Sequence, residues 1–437
     1  MKNVLSKAAF AALAAAGGMS VAGVAQAQTT PTIQPMSGAP EIRDGQQRFK
    51  VRGRLQYDYY SNEWNLDDPT DSAAIEGEDG SRSYVRRAFL GAQGRLTDHW
   101  RYKVDFVLNP GAGVDDSATG DAAVAVDDAY LEYAGDFYSV VIGENNVTSP
   151  LEDRTSSLDI PFLERSSIIN AYGYGRAAGV AGLITGANWM AALGFYGDSL
   201  NNSDSGFAND EQTAISGRFT WAPIFETSPD GVTLLHLGVS ARQRHQGDDA
   251  AFRYRARPLN GRGSRWVEAG SGVGNTVDSD TAYGFELAGQ YNAFGFTAEY
   301  ITLEGDVLTP GVAPADGTIE SDGYYVDLNW SITGEPRSYR GNQGSFGPVA
   351  PRTPMGEGGW GHFDVGLRYD FIDLSDADIG GNRGEQTSYA VALNWVPVDH
   401  VRFMLNYAST EADRTSGNAT AGDAEADVLS LRTQFDF

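Results

Sequence analysis

A period of two constrains this chain more than any other feature. Within residues 99–109, Trp100, Tyr102, Val104, Phe106 and Leu108 point one way, while Arg101, Lys103 and Asp105 point the other. That alternation belongs to an extended strand whose two faces meet different surroundings. Comparable segments recur near residues 49, 84, 99, 126, 137, 173, 187, 211, 231, 280, 294, 320, 359, 385, 400 and 425. The pattern alone suits both a soluble sandwich and a lipid-facing wall. The connections separate the two. Tight turns at 96–98, 135–136, 186, 292–293 and 397–399 alternate with long gaps rich in Gly, Asp, Asn and Ser, the arrangement of periplasmic turns and extracellular loops in an outer-membrane barrel. The segments at 333–358 and, mildly, 223–230 break this rule. The fold expected is therefore all-β, a 16-stranded antiparallel transmembrane β-barrel.

Tryptophan supports the same reading. Six of the eight, Trp100, Trp189, Trp221, Trp330, Trp360 and Trp395, fall next to short turns, as indoles do where lipid meets water. At the other end of the chain, Leu429, Leu431, Thr433, Phe435 and Phe437 form an alternating apolar face that runs to the last residue. A chain that ends within a strand implies a barrel seam at that strand. The terminal phenylalanine resembles the signature read by the outer-membrane barrel assembly machinery, which is therefore an expected partner through Phe437, alongside outer-membrane lipid.

Residues 1–27 read as a secretory signal peptide, with Lys2 and Lys7 ahead of an Ala-rich apolar run and Ala25-Gln26-Ala27 as the cleavage site. Residues 28–47 form a polar periplasmic lead and 48–437 the barrel. Beyond the leader no run of apolar residues is long enough for a transmembrane helix. There is no cysteine, so thiolate metal sites and disulfides do not arise. The formal charge of -26 argues against nucleic acid, which needs a broad basic face. The five histidines lack metal-ligand spacing, and no cofactor or metal is expected. Gly197-Asp198-Ser199-Leu200 spells a hydrolase-like motif with Ser199 in a loop, but no Asp-x-x-His partner follows downstream. The expectation is that the protein is not an enzyme.

Positive charge is nearly all arginine: 28 arginines against four lysines, two of them in the leader. Residues 242–265 hold seven arginines against two acids. Arg253, Arg255 and Arg257 alternate, so in an extended segment they share one face at roughly 7 Å intervals, with Phe252, Tyr254 and Ala256 left to anchor the other. The guanidinium fork grips two oxygens of a phosphate or carboxylate, and a ladder of such groups in an aqueous pore confers anion selectivity.

Several stretches resemble the phosphate-selective porin O and P family. "EDRTSSLDIPFLERS", residues 152–166, resembles its inward-folded constriction loop, which implies that Ser156, Ser157 and Arg165 line an anion site. "YVRRAFLGAQG" at 84–94 and "GRLQYD" at 53–58 resemble its second and first strands and imply Arg86, Arg87 and Arg54 as further ligands. "VDDAYLEYAG" at 126–135 is similar to the fourth strand, where an acid, here Asp127 or Asp128, moderates affinity. "WSITGEPRSY" and "GGWGHFDVGLRYDFIDL" resemble the family's Thr-Gly-Glu segment and the strand after it, which accounts for the long gap there. Arg253, Arg255 and Arg257 fall where members carry an arginine ladder. Where phosphate-specific members carry a lysine ahead of the Ser-Ser pair, this chain has Asp153, followed by Arg154. The resemblance implies a homotrimeric outer-membrane porin passing phosphate, polyphosphate or other small anions down their gradient. The rivals are a general porin of the same fold, an outer-membrane hydrolase using Ser199, and a surface adhesion barrel.

Overall fold

The computed structural model describes residues 32–34, 39, 41–66, 80–108, 124–201, 212–228, 231–246, 252–269, 277–307, 318–376, 382–416 and 423–437. The alternating segments become sixteen barrel strands: β1 (Gln47–Leu66), β2 (Gly80–Arg95), β3 (Trp100–Leu108), β4 (Val124–Ala134), β5 (Tyr138–Asn146), β6 (Arg176–Thr185), β7 (Trp189–Tyr196), β8 (Thr213–Ser228), β9 (Gly231–His245), β10 (Val277–Tyr291), β11 (Phe294–Val307), β12 (Thr318–Ser331), β13 (His362–Leu374), β14 (Asn382–Val398), β15 (Val401–Ser416) and β16 (Ala424–Asp436). Each pairs antiparallel with the next, and β16 pairs with β1 to close the barrel. At the seam Gly53 and Phe437 exchange both backbone hydrogen bonds, each 3.1 Å. The Phe437 ring lies where a Cβ on residue 53 would stand, so only glycine lets the chain end pack there.

Burial is inverted relative to a soluble protein. Leu193, Phe195, Phe219, Phe285, Leu287 and Val391 are exposed on the outer wall, while Gln56, Asp58, Glu286, Arg368 and Arg432 are buried in the lumen. Hydrocarbon solvates the first set and closure satisfies the backbone. Trp100, Trp221, Trp330 and Trp360 are exposed at the short-turn end. Two further pairs, Phe294–Trp330 and Phe363–Trp395, stack nearly parallel there. Trp64 and Trp266, the two left out of this girdle, meet edge to face 4.7 Å apart inside the barrel.

Both irregular gaps have structural causes. At 223–230 the strand does not stop: β8 shifts register between Trp221 and Ile224 and continues to Ser228. Pro223 sits in that bulge, where a missing N–H costs no ladder bond. Residues 332–361 form a true insertion, whose ribbon (Tyr339–Arg340 with Ser345–Phe346) turns into the lumen. There Arg218 of β8 donates to the carbonyls of Gln343 and Gly344, at 3.3 and 2.7 Å.

Residues 147–175 and 252–269 also fold inward. The first carries α1 (Leu151–Arg154) and α2 (Ser167–Ala171), the second a ribbon of Tyr254–Ala256 with Val267–Ala269. Ile168, Tyr172, Phe252, Tyr254 and Trp266 pack with Ile301, Leu303, Ile319 and Ile372 of the wall. This apolar mass packs against β10–β13, β15 and β16 with Trp64 of β1 at its edge, and the arginine-lined cavity lies beside β1–β8. Ahead of β1, Glu41–Asp44 pairs with Gln47–Lys50 and with Thr32–Gln34. The leader at 1–27 lies outside the described residues.

Candidate functional site

Two β-bulges set the charge pattern of the lumen. Strict alternation would turn one of Arg86 and Arg87 toward lipid. Instead β2 shifts register against β1 between Gln56 and Tyr57, with Arg87 opposite Gln56 and Val85 opposite Tyr57. The extra residue, Arg86, is thereby turned inward beside its neighbour. The same occurs on β4, where Asp128 faces Asp105, Val126 faces Phe106, and the intervening Asp127 is extra. Both aspartates are buried.

The constriction loop is bolted across the pore by charge. Glu299 accepts the N–H groups of Leu151 and Glu152 at 2.8 and 2.7 Å, at the N-terminus of α1. Arg165 donates to the carbonyls of Glu152, Asp153 and Thr155 at its other end, satisfying groups that helix ends leave open. Glu164 takes a two-pronged contact from Arg86, at 2.9 and 2.8 Å, and a third from Arg432 at 3.1 Å. Burial alone would raise its carboxyl, but Arg86, Arg87 and Arg432 hold it well below the ordinary carboxylate range. Arg402 donates to the carbonyls of Leu158 and Ile160, and Asn394 to that of Pro161.

What remains facing the water is a cavity of about 530 Å³ whose lining includes Arg54, Arg87, Arg154, Ser156, Ser157 and Arg165. Arg54 donates to the Ser157 hydroxyl at 2.7 Å, and Arg87 to the Gln56 carbonyl at 2.8 Å. Gln56 in turn donates to the Ser157 carbonyl at 3.2 Å. Among the described residues no carboxylate forms a salt bridge with Arg54, Arg87 or Arg154. Burial, with Arg218 nearby, lowers Arg154 below the usual arginine value. The acids on the same wall are all engaged. Arg176 binds Asp127 and Asp128 at 3.0 and 3.1 Å, Lys103 bridges Asp128 and Asp105, and Arg52 meets Asp105 at 3.4 Å.

Of the residues singled out from sequence, Arg54, Arg87, Ser156, Ser157 and Arg165 therefore share one cavity, with Asp128 on its wall. Arg86 stands beside it, occupied by Glu164. Arg253, Arg255 and Arg257 do not line it. They lie on the 252–269 ribbon, where Tyr254 and Ala256 are buried as the alternation implies and Arg253 pairs with Glu268. That segment still reaches the constriction: Gly261 lies so close to Tyr84, Arg86 and Glu164 that a Cβ would collide with the tyrosine hydroxyl. Ser199 donates to Glu144 at 2.7 Å and accepts from the N–H of Asn201; no histidine hydrogen-bonds to it among the described residues.

Arg52, Lys103, Arg154 and Arg176 line the cavity without having been singled out as site residues. Signals for two of them were present. Lys103 lies on the inward register of its strand, and Arg154 immediately precedes Thr-Ser-Ser.

The model of the family "Phosphate-selective porin O and P" matches residues 49–437. The chain belongs to the phosphate-selective porin O and P family. An uncharacterised protein of Caulobacter vibrioides is 30% identical over 423 residues, covering 94% of this chain and 79% of that protein. Porin O of Pseudomonas aeruginosa is 25% identical over 470 residues, covering 100% of this chain and 99% of the porin. Among solved structures, the anion-selective porin from Comamonas acidovorans superposes with a TM-score of 0.51 at 12% identity, covering 90% of this chain and all of that one. This porin-family member is an outer-membrane β-barrel.

Proposed function

We propose that the barrel is a passive outer-membrane channel for small anions that selects inorganic phosphate at a site built from Arg54, Arg87, Arg154, Ser156, Ser157 and Arg165. The observation that carries this reading is the separation of charge roles in the constriction. Arg86 and Arg432 serve the loop anchor and Arg52, Lys103 and Arg176 serve the acids, which leaves Arg54, Arg87 and Arg154 facing the water with no carboxylate salt bridge among the described residues. A phosphate entering the cavity exchanges part of its hydration shell for these donors. Conduction requires the binding to be weak enough for release, and Asp127 and Asp128 supply the opposing charge. Porin O of Pseudomonas aeruginosa and the anion-selective porin of Comamonas acidovorans, to which the chain is similar, carry names that agree with this class of cargo.

Arg253, Arg255 and Arg257 act upstream, as an attractive approach from the long-loop side toward Gly261 and the constriction. The assembly is a homotrimer in the membrane, inserted through the Phe437 signal, and the leader is removed on export. The reading is tested by chloride conductance of single channels in planar bilayers during phosphate titration. Block at millimolar phosphate supports it; undiminished chloride current makes this a general porin.

A further inference from the structure

On its outer wall the barrel carries a depression that the channel function does not use. It lies at the short-turn end between β9 and β13, measures about 620 Å³, and is lined on the outward register by Leu235, Gly289, Phe296, Leu328 and Leu367. Its origin is local. Gly289 occupies an outward position in register with Phe296, and the Phe296 ring lies over it, where a Cβ would collide. The ring that would stand out from the wall lies down instead, and a hollow opens between Leu235 on one side and Leu328 and Leu367 on the other.

We propose that this hollow holds one acyl chain of a phospholipid from the leaflet at the short-turn rim. Three observations favour lipid over another protein surface. No charged residue lines the hollow, and the side chain of Gln290 is turned into the lumen, where it donates to the Arg337 carbonyl at 2.9 Å. Tyr291, Phe294 and Trp330 are exposed around its mouth, and amphipathic rings of this kind sit at headgroup level. The wall here is also tall, with strands of 15, 14, 14 and 13 residues from β10 to β13, so it spans the hydrocarbon unaided. On β3–β7 the strands have only 8 to 11 residues, and a second copy of the chain serves that low side better.

The test uses the full-length barrel, folded into phosphatidylethanolamine–phosphatidylglycerol vesicles, extracted in mild detergent and weighed by native mass spectrometry. The expected result is a retained phospholipid mass on the wild-type protein. It is lost in Leu235→Trp/Leu328→Trp, which fills the hollow, and kept in Val391→Trp, an outward position elsewhere on the wall. A photocrosslinker at Leu328 keeps the proposal testable if the filled variant does not fold, since it should label lipid. Equal lipid retention in filled and control variants overturns the proposal, as does no retained lipid on the wild type. Crosslinking of Leu328 to a second barrel also overturns it, making the hollow a protein interface.

Discussion

Arg86 and Arg87 are adjacent in sequence, identical in chemistry and both turned into the lumen, yet substitution by glutamine should give opposite phenotypes. Arg87 has a neutral partner, Gln56, and faces the constriction cavity. Its loss removes one charge-assisted contact to a bound oxyanion, worth about 1.5–3 kcal/mol, or roughly 10- to 150-fold in the phosphate concentration that blocks chloride current. The stability of the barrel should hardly change. Arg86 instead holds Glu164, which is nearly solvent-free, through two bonds. Arg86→Gln strips a buried carboxylate of its principal partner, a change that costs about 3–5 kcal/mol; Arg432, shared with Asp58, offsets part of this. The loop should loosen, seen as a lower midpoint in urea unfolding and as noisier open-channel current, with a smaller change in phosphate block. Both variants are measured in the same two assays. If Arg86→Gln weakens block as much as Arg87→Gln while leaving the unfolding midpoint in place, the division between anchor and ligand is wrong.

Gly261→Val should push the 252–269 ribbon away from Tyr84 and Glu164 and destabilise the barrel by about 1–3 kcal/mol; an unchanged unfolding curve would deny the close approach. Asp127→Asn/Asp128→Asn frees Arg176 toward the pore and leaves Lys103 with Asp105 alone, so phosphate should block at lower concentration and leave more slowly, and a weaker block would refute the moderating role. Burial raises the Asp159 carboxyl against the pull of Arg402, Arg340 and Arg337. The raised folded value means that the side chain takes up its proton at a higher pH than a free aspartate. Its negative charge beside those arginines is therefore lost at a higher pH than that of a free aspartate. Anion conductance should rise on acidification, starting above the range in which a free aspartate titrates, and rise less in Asp159→Asn; equal pH profiles would sink the assignment.

Strand number and order were legible because side chains on a barrel wall alternate between lipid and water, and a period of two survives in sequence. The boundary at 223–230 was not, because Pro223 reads as a breaker until a bulge absorbs it. Bulges also limited the site. The Arg-Arg and Asp-Asp pairs were found by resemblance, but a period of two would have sent one member of each outward, and nothing in the sequence announces the extra residue. Division of labour among the arginines lay deeper still. Arg54 and Arg432 have the same alternating register, and only the fold shows that one meets a serine hydroxyl and the other two carboxylates. Alternation over 253–257 puts Tyr254 and Ala256 on one face, and both lie inside the packed core, whereas the distance of the three arginines from the constriction cavity depends on how far the 252–269 segment dips into the lumen.

A few guanidiniums in the constriction outweigh a formal charge of -26 on the whole chain in choosing the permeant ion. Exposed acids act only over about a Debye length, roughly 8 Å at physiological salt, whereas a passing ion meets Arg54, Arg87 and Arg154 directly. Reversal potential across a planar bilayer under a potassium chloride gradient tests this without any assumption about phosphate. The potential expected has the sign that marks chloride as the more permeant ion. A potential of the opposite sign, with potassium preferred, would contradict it.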